Sequence, residues 1–414
     1  MAYLPRVTDG ELRNRLASMG AVLIEGPKAC GKTETGRQVA ASTVLLDVDQ
    51  GARSAAELDP QLILEGDIPR LIDEWQLVPG IWNHVRRAVD DRDQPGQFIL
   101  AGSAQPTDDK TRHTGAGRVS RLKMRPMSLF ELGMSDGALA LSALLEGETG
   151  AATDPGLQLG DVSDAICRGG WPAFRNLELP DAIRGVRDYL GEIPRDTQRL
   201  GQRHRPERVT RLIESLARNV ATTVAASKLA ADASRPEDPV SDEAVAEYLS
   251  SLSRLFVVED QPAWQPHLRS RYRLHRSPKR HFVDPSLAVA ALRADPAALM
   301  RDLNFLGLLF ESLVVRDLRI YSQPFEGEVE HYQDNSNLEV DAIVKAGNAW
   351  GAFEVKLGGE KPVEEAAEKL LKFQSRVDHE KTGPPALLAV VVATGYAYVR
   401  EDGVQVVPIG CLGP

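Results

Sequence analysis

One short segment constrains the fold of this chain more than any other. Residues 26–33 read Gly-Pro-Lys-Ala-Cys-Gly-Lys-Thr and follow an apolar run at residues 21–24, so they fit G-x-x-x-x-G-K-[ST] after a strand. A strand, loop and helix in this order present backbone N–H groups and the positive end of the helix to phosphate oxygens. The pattern predicts a loop that binds a nucleoside triphosphate. The alternative is a chance match in a glycine-rich turn.

Each position of this phosphate loop (residues 26–33) has an expected role. Lys32 would reach the β and γ phosphate oxygens, and the hydroxyl of Thr33 would bind Mg2+. ATP and Mg2+ are therefore the expected ligands. We expect ATP to be bound by Gly26, Pro27, Lys28, Ala29, Cys30, Gly31, Lys32, Thr33 and Glu34.

Two later apolar runs end in polar side chains that suit hydrolysis. The run at residues 70–72 is followed by Asp73, which would hold Mg2+ through water, and by Glu74, which would orient or deprotonate the attacking water. The run at residues 98–102 is followed by Ser103, a candidate sensor of the γ-phosphate. A solvated acidic turn and an ordinary turn or N-cap serine are the alternatives.

The N-terminal part alternates β-rich runs with helical spacing, which predicts an α/β fold with a mostly parallel sheet. A connector with one helix around residues 139–145 follows, so we expect an ATPase domain at residues 1–160. The expected strands lie at residues 22–24, 44–48, 71–73, 98–101 and 119–124.

Residues 161–295 predict a helical and winged-helix region. Helical spacing at residues 208–220, 226–231 and 241–252 is followed by a β-type run at 255–259. Three helices before a hairpin are typical of a winged helix, whose third helix enters the DNA major groove when such a domain binds DNA. That helix carries Asp242, Glu243 and Glu247 here, so a structural or protein-contact role stays open beside DNA binding.

Two basic clusters stand out in a chain of net charge −10. They are candidates for contact with DNA or RNA, and Tyr272 and His275 would stack on unpaired bases, although a charged run is more often a solvated face. The first contains Arg195, Arg199, Arg203, His204, Arg205, Arg208 and Arg211, and the second Arg269, Arg271, Arg273, Arg276, Lys279 and Arg280.

Residues 296–414 predict a second catalytic pattern in a C-terminal α/β domain. Asp341, Glu354 and Lys356 fit D-x12-E-x-K, in which two acids hold Mg2+ and the lysine activates water or stabilises charge on a phosphate. Strand alternation places Glu354 and Lys356 on one face. Glu311 on the preceding helix would complete the metal shell. An ordinary ion pair, or a retained fold without cleavage, is the alternative.

Composition sets limits on the whole chain. A length of 414 residues suggests two or three domains. Cys30, Cys167 and Cys411 are too few and too widely spaced for a disulfide framework or a zinc cluster. No leader of signal-peptide type and no apolar run of membrane-spanning length occurs, so we expect a cytoplasmic protein without a membrane partner.

These segments together resemble prokaryotic AAA+-type ATPases that carry a winged-helix region and a C-terminal restriction-endonuclease-like domain of the PD-(D/E)xK type. The resemblance covers nearly the whole chain. It rests on the phosphate loop, on Ile72-Asp73-Glu74-Trp75-Gln76, Leu100-Ala101-Gly102-Ser103-Ala104, Gly117-Arg118 and residues 124–131, on Gly169-Gly170-Trp171-Pro172 and Phe282-Val283-Asp284, and on the C-terminal acids and lysine.

The resemblance implies that Arg118 is an arginine finger, acting within its own chain or across an interface, although it could be an ordinary loop residue. It implies an ATP-hydrolysing switch coupled to a C-terminal domain that acts on nucleic acid. The alternative is a signalling or regulatory ATPase of toxin or defence type, whose nuclease-like fold only binds a partner. A second copy of the chain or another protein is a candidate partner.

Overall fold

The computed structural model describes residues 3–103, 114–200, 205–266, 277–336 and 338–414. The chain forms two compact units. The first consists of the residues up to Pro126 together with Ser251–Phe256, and the second of Met127–Ser250 with Val257–Pro414.

The first unit is built on a five-stranded sheet in which every pairing is parallel, in the order β2-β3-β4-β1-β5. Strand β4 is buried along its whole length, as expected for a strand covered on both faces. The predicted α/β fold with a parallel sheet is confirmed. The strands are β1 Ala21–Glu25, β2 Ser42–Leu45, β3 Arg70–Asp73, β4 Phe98–Gly102 and β5 Val119–Lys123.

Alternating side chains of this sheet enter two separate cores. Ala21 and Leu23 belong to one apolar cluster, whereas Val22 and Ile24 belong to the other, because successive strand residues point to opposite faces. The result is a layer of helices on each face of the sheet. The helices are α1 Thr8–Ser18, α2 Lys32–Arg37, α3 Gln50–Leu58 and α4 Ile81–Arg92.

One predicted strand lies earlier than expected. Residues 44–48 were expected to be extended, but β2 ends at Leu45 and Val48 is 74% exposed. The chain leaves the sheet because the carboxylate of Asp49 caps α3 by accepting a hydrogen bond from the Ala52 N–H.

The second unit is helical over its first half. Among the described residues that follow α10, Val258 pairs with Phe282 and Gln261 with Lys279 in isolated antiparallel bridges, and Arg280 pairs in the same way with Thr222. The winged-helix interpretation stays a prediction. The helices are α5 Leu141–Leu145, α6 Leu159–Arg168, α7 Leu179–Leu200, α8 Pro206–Arg218, α9 Ala226–Ala233, α10 Asp242–Arg254, whose last turn belongs to the first unit, α11 Ser286–Ala291 and α12 Pro296–Arg301.

The C-terminal part of this unit contains a mixed six-stranded sheet in the order β11-β12-β10-β9-β8-β7. Strands β7, β8 and β9 are antiparallel neighbours, and β10 pairs in parallel with β9 and β12. Its elements are α13 Leu303–Ser322, β7 Glu328–Gln333, β8 Glu339–Ala346, β9 Ala349–Lys356, α14 Glu360–Gln374, α15 His379–Thr382, β10 Leu387–Val392, β11 Tyr398–Val399 and β12 Gln405–Pro408; a small separate sheet pairs β6 Leu139–Ala140 with β13 Leu412–Gly413.

A buried ionic network fixes α13 within the second unit. The guanidinium of Arg316 donates to Asp284 at 2.8 Å and lies 2.7 Å from a carboxylate oxygen of Asp317. The carboxylate of Asp284 also accepts from the Gly170 N–H at 3.0 Å, and that of Asp317 accepts from the Leu129 N–H at 3.0 Å. Because a buried charge without a partner costs several kcal/mol, these contacts hold the helix in one position.

Two further findings concern the whole described chain. All three cysteines are buried and free. Across the ranges that the structure describes, no helix is both long and apolar enough to cross a bilayer.

Candidate functional site

The phosphate loop leaves β1 at Glu25 and enters α2 at Lys32. Ala29 and Gly31 have left-handed backbones, with φ of 60° and 106°. A Cβ atom on Gly26 would lie 2.1 Å from the carbonyl oxygen of Met124, so only glycine fits there. The loop is therefore tightly folded against the chain that follows β5.

Lys32 lies inside the curve of this loop. Its ammonium donates hydrogen bonds to the carbonyl oxygens of Gly26 at 3.0 Å and Pro27 at 2.7 Å, and its side chain is buried. Carbonyl oxygens satisfy the buried ammonium within the loop, where a phosphate oxygen could replace them as acceptor.

Thr33 and Asp73 form the part of the site that fits a magnesium ion. The hydroxyl of Thr33 donates to Oδ2 of Asp73 at 2.8 Å. Oδ1 of Asp73 is buried and accepts no hydrogen bond from the described part of the chain. Burial raises the pKa of this carboxyl, and the Thr33 hydrogen bond partly opposes that shift. A buried carboxylate oxygen without a donor beside a hydroxyl suits a hard cation.

Glu74 and Ser103 lie at the same carboxyl-terminal end of the strands as Thr33 and Asp73. Oε2 of Glu74 accepts from the hydroxyl of Ser103 at 3.4 Å and from the side-chain amide of Gln76. Glu74 has a left-handed backbone, φ 52°, a conformation that costs of order 1 kcal/mol in a residue other than glycine. The predicted metal-binding, water-activating and sensor residues are thus brought together.

Gln76 is a site residue that the motif reasoning missed. Its amide nitrogen donates to Glu74. Its amide oxygen packs so closely against Gly102 that a Cβ atom on Gly102 would lie only 2.5 Å from it. The sequence signal was a polar amide two residues after the acid and a glycine before Ser103. Neither is distinctive without the fold.

The remaining loop residues have other contacts. The carbonyl oxygen of Cys30 accepts from the guanidinium of Arg6 at 2.8 Å, and Arg6 also donates to the carbonyl oxygen of Arg125 at 2.8 Å. Lys28 is exposed. Glu34 is exposed and pairs with Arg37 on the surface of α2 at 2.6 Å. Arg6, which sequence reasoning missed, thus ties the loop to the chain after β5.

Arg118 lies at the amino-terminal end of the strands, whereas the phosphate loop lies at their carboxyl-terminal end. Its carbonyl oxygen accepts from the N–H of Ala21, the first residue of β1, whereas the loop follows the last residue of β1, about 13 Å away at about 3.3 Å per residue. Its guanidinium donates to Asp90 at 2.8 Å. The structure therefore does not bring Arg118 to the phosphate loop of its own chain. A role across an interface stays a prediction.

In the second unit, β8 and β9 bring the predicted C-terminal residues together. The ammonium of Lys356 lies 3.1 Å from Oε2 of Glu354 and 3.8 Å from Oδ2 of Asp341. Oδ2 of Asp341 also accepts from the Val355 N–H at 2.9 Å. The short distance from Glu354 to Lys356 shows that both project from the same face of β9, as strand alternation predicts.

Two lysines that the motif did not include complete this cluster. Lys279 lies 2.7 Å from Glu311 and 3.6 Å from Asp341, and Lys369 on α14 lies 2.8 Å from Glu354. Sequence reasoning treated Lys279 only as a member of a basic run. Lys369 gave no signal beyond a helical charge.

The lysines and burial act on the acids in opposite directions. Burial raises the pKa of Glu311 to about 8 and that of Glu354 to about 7. Burial would also raise the pKa of Asp341, but Lys279, Lys356 and Lys369 together hold it below its usual value.

The expected metal shell of Glu311, Asp341 and Glu354 is occupied by ammonium groups. Among the described residues, no group of three or more His, Cys, Asp or Glu side chains is arranged to hold a metal ion. The C-terminal residues therefore do not fit the expected Mg2+ in this arrangement, because each carboxylate already faces a lysine.

Three arginines of the described part of the first basic cluster share one carboxylate. Arg205, Arg208 and Arg211 all reach the carboxylate of Asp238, at 3.2, 2.5 and 2.7 Å. These hydrogen bonds, chiefly those from Arg208 and Arg211, hold the pKa of Asp238 well below its usual range. The following predicted cluster members lie outside the described residues: Arg203, His204, Arg269, Arg271, Tyr272, Arg273, His275 and Arg276.

Comparison with known families identifies the first unit. Residues 18–133 match the model of an AAA domain. This segment contains the phosphate loop, Asp73, Glu74 and Ser103 on a parallel sheet. It is an AAA-type P-loop ATPase-like domain. Residues 159–298 and 306–412 match two families described only as domains of unknown function, DUF8612 and DUF4143. The winged-helix and restriction-endonuclease-like interpretations of those segments stay predictions.

Individual relatives add little on function. The chain is 25% identical over 358 residues to uncharacterized proteins of Mycobacterium bovis and Mycobacterium tuberculosis, covering 85% of this chain and 73% of each relative. Among solved structures, a Walker-type ATPase of Pyrococcus abyssi is 13% identical with a TM-score of 0.42, covering 69% of this chain and 94% of that one. That last likeness is too low to carry an argument.

We expect Gly26→Ala to abolish nucleotide binding. The new methyl group would overlap the Met124 carbonyl oxygen, which is backbone and cannot turn away, so the loop must shift at a cost of about 1–3 kcal/mol. Fluorescent nucleotide titration measures the loss, which should exceed about tenfold. Gly10→Ala is the matched control, because nothing lies within 4 Å of its added Cβ. Unchanged affinity in Gly26→Ala would contradict the loop geometry.

We expect Asp73→Asn to stabilise the nucleotide-free protein while removing ATP hydrolysis. Because burial raises the pKa of Asp73, the charged form costs stability that grows as pH rises through the folded pKa and is absent below the unfolded value. A neutral amide removes this cost and still accepts from Thr33. Thermal unfolding at pH 8 should rise by about 2–4 °C if the gain is about 1 kcal/mol.

The control for this variant is Asp91→Asn, which changes an exposed carboxylate of the same unit. Its unfolding temperature should stay at the wild-type value. A lower unfolding temperature for Asp73→Asn than for wild type, without nucleotide, would contradict the assignment of a buried carboxylate with one oxygen that lacks a donor.

Proposed function

We propose that the first unit binds and hydrolyses ATP with Mg2+. One observation carries the proposal. The Thr33–Asp73 pair and the Glu74–Ser103 pair lie at the carboxyl-terminal ends of the strands of one parallel sheet, where the phosphate loop also begins. In parallel α/β sheets, ligands bind outside the carboxyl ends of the strands. The AAA domain match at residues 18–133 supports the same function.

Thr33 and Asp73 are the residues that would hold the metal. Mg2+, when bound, supplies positive charge that neutralises the β and γ phosphate oxygens. The hydroxyl of Thr33 and the unpaired Oδ1 of Asp73 offer the oxygen ligands. Lys32 needs only to exchange two carbonyl acceptors for phosphate oxygens, and the N-terminus of α2 faces the same loop.

Glu74 is the general base in this proposal. Both of its donors, Gln76 and Ser103, reach Oε2, and Oε1 accepts from no side chain in the part of the chain that is described. One oxygen is thereby oriented by the protein and the other faces the proton of an attacking water. Ser103 touches Glu74, so a γ-phosphate contact at Ser103 would also change the position of the base.

The chain after β5 offers a route from the nucleotide to the second unit. Met124 lies against Gly26, and its N–H donates to Glu25 at 2.8 Å. Three residues later, the N–H of Met127 donates to Gly170 at 2.6 Å, and Leu129 is held by Asp317. A shift of the phosphate loop would pass along this short segment into the buried network of α13. This supports a switch rather than an isolated ATPase.

The assigned roles predict different kinetics for two variants. Lys32→Ala should lose ATP affinity and turnover together, because its ammonium contacts phosphate in every bound state. Glu74→Gln should bind ATP normally and lose about 10²–10⁴-fold in turnover, because an amide cannot accept the proton. Steady-state ATPase rates and nucleotide titration separate the two. Glu57→Gln, an exposed acid of the same unit, is the control. Wild-type turnover in either variant would contradict the role assigned to the residue that it replaces.

For the second unit we propose that it binds a protein partner and does not cleave nucleic acid. The alternative, action on DNA or RNA, is favoured by the meeting of Asp341, Glu354 and Lys356. Lysines pair with each acid of that cluster, which argues against cleavage. Asp238 engages three arginines of the first basic cluster, which offsets part of the positive charge that phosphate contact would need. A signalling or regulatory ATPase fits these contacts best.

A panel of nucleic acids tests this proposal. Single-stranded, duplex and branched DNA and RNA, with Mg2+ or Mn2+, should remain uncleaved and should leave ATP turnover unchanged. Coupling between a cognate ligand and a second site is typically about 5- to 150-fold, so a stimulation of that size by any member would overturn the protein-partner assignment. Cleavage that disappears in Lys356→Ala would instead establish the nuclease function.

A further inference from the structure

Lys279 occupies the centre of the C-terminal carboxylate cluster. Its ammonium lies 2.7 Å from Oε1 of Glu311, 2.7 Å from Oε1 of Glu339 and 3.6 Å from Oδ1 of Asp341. Its side chain is only 2% exposed. One cation surrounded by three carboxylates from a helix and a strand is the arrangement that a bound metal ion would have.

The backbone holds Lys279 in this place. Lys279 and Gln261 exchange backbone hydrogen bonds in both directions, at 2.9 and 3.0 Å. The side-chain amide of Gln261 then donates to the carbonyl oxygens of Glu330 at 3.1 Å and Asp341 at 3.0 Å. The segment that carries the lysine is thus tied to the same strand that carries the acid. The fold therefore fixes the backbone from which the Lys279 side chain extends.

Electrostatics oppose a divalent ion beside this lysine. Within the described cluster, Lys279, Lys356 and Lys369 face Glu311, Glu339, Asp341 and Glu354, so the negative charge is already largely compensated. A metal ion bound at Asp341 would lie within several ångströms of two ammonium groups. Such like-charge contacts in a water-poor site cost several kcal/mol.

We propose that Lys279 is the resident cation of this cluster, so that the C-terminal acids bind no divalent metal ion and the second unit carries out no metal-dependent phosphodiester cleavage. The ammonium supplies the positive charge that keeps the acids buried in one arrangement. The proposal is independent of ATP hydrolysis, because the residues assigned to ATP and Mg2+ belong to the first unit.

Metal binding to the intact chain tests the proposal directly. The probe is Mn2+ alone, followed by electron paramagnetic resonance and calorimetry, in a chain that carries Asp73→Asn to remove the ATP-linked site. We expect no Mn2+ to be retained in this background. Retained Mn2+ that is lost on adding Asp341→Asn or Glu354→Gln would overturn the proposal, because those acids would then be metal ligands.

Replacing the lysine gives the complementary result. Lys279→Met keeps a similar length and removes the charge, so the uncompensated Glu311, Glu339 and Asp341 should gain one Mn2+ ion per chain, and Mn2+ should raise the unfolding temperature. Lys345→Met on β8 is the matched control and should gain none. A folded Lys279→Met chain that gains no Mn2+ counts against the proposal. If Lys279→Met fails to fold, the Mn2+ measurement with the native lysine still decides.

Discussion

The parallel pairing of β1 with β4 is the constraint on which the ATPase site depends. In this register Glu25 lies beside Gly102, and on the other side of β4 Asp73 lies beside Ala101. The loop after β1, the acids at the end of β3 and the serine after β4 must then lie together at the carboxyl-terminal ends of these strands. These three segments need not be near one another in sequence, because the hydrogen-bond ladder between the strands sets their spacing.

The two clusters of acids in this chain have opposite electrostatics. At the first, Asp73 keeps a buried oxygen without a donor from the described residues, and a bound cation or a proton would offset the free energy lost there. At the second, every acid lies close to a lysine ammonium, so the protein itself largely compensates the negative charge, although Oε1 of Glu354 is also buried without a hydrogen-bond donor from the described residues. The first arrangement suits a site that binds and releases a ligand. The second is the arrangement of a structural ionic network.

Much of the first unit could be predicted because its signals are local. The phosphate loop is a contiguous motif, and buried parallel strands appear as continuous apolar runs, so residues 26–33, Asp73, Glu74 and Ser103 could be named as candidates, and the structure brings them together. Lys279 and Lys369 could not be found, since they reach the C-terminal acids from 32 residues before Glu311 and from 15 residues after Glu354. Nothing local distinguishes such lysines from solvated ones. Arg118 was named from its motif and lies away from the phosphate loop, because a motif position does not show at which end of the strands a residue lies.

The sequence by itself therefore determined the P-loop ATPase-like character of the N-terminal domain and the candidate residues of its site, since glycine conformation, strand periodicity and motif spacing are properties of short segments. Only the tertiary structure decided which charges meet. In that structure Arg118 lies beside Asp90, at the end of the strands opposite the phosphate loop. Lys279 lies among the acids of the C-terminal cluster. The physical reason is that electrostatic pairing depends on distances of a few ångströms between residues far apart in the chain, and those distances exist only after the sheets have formed.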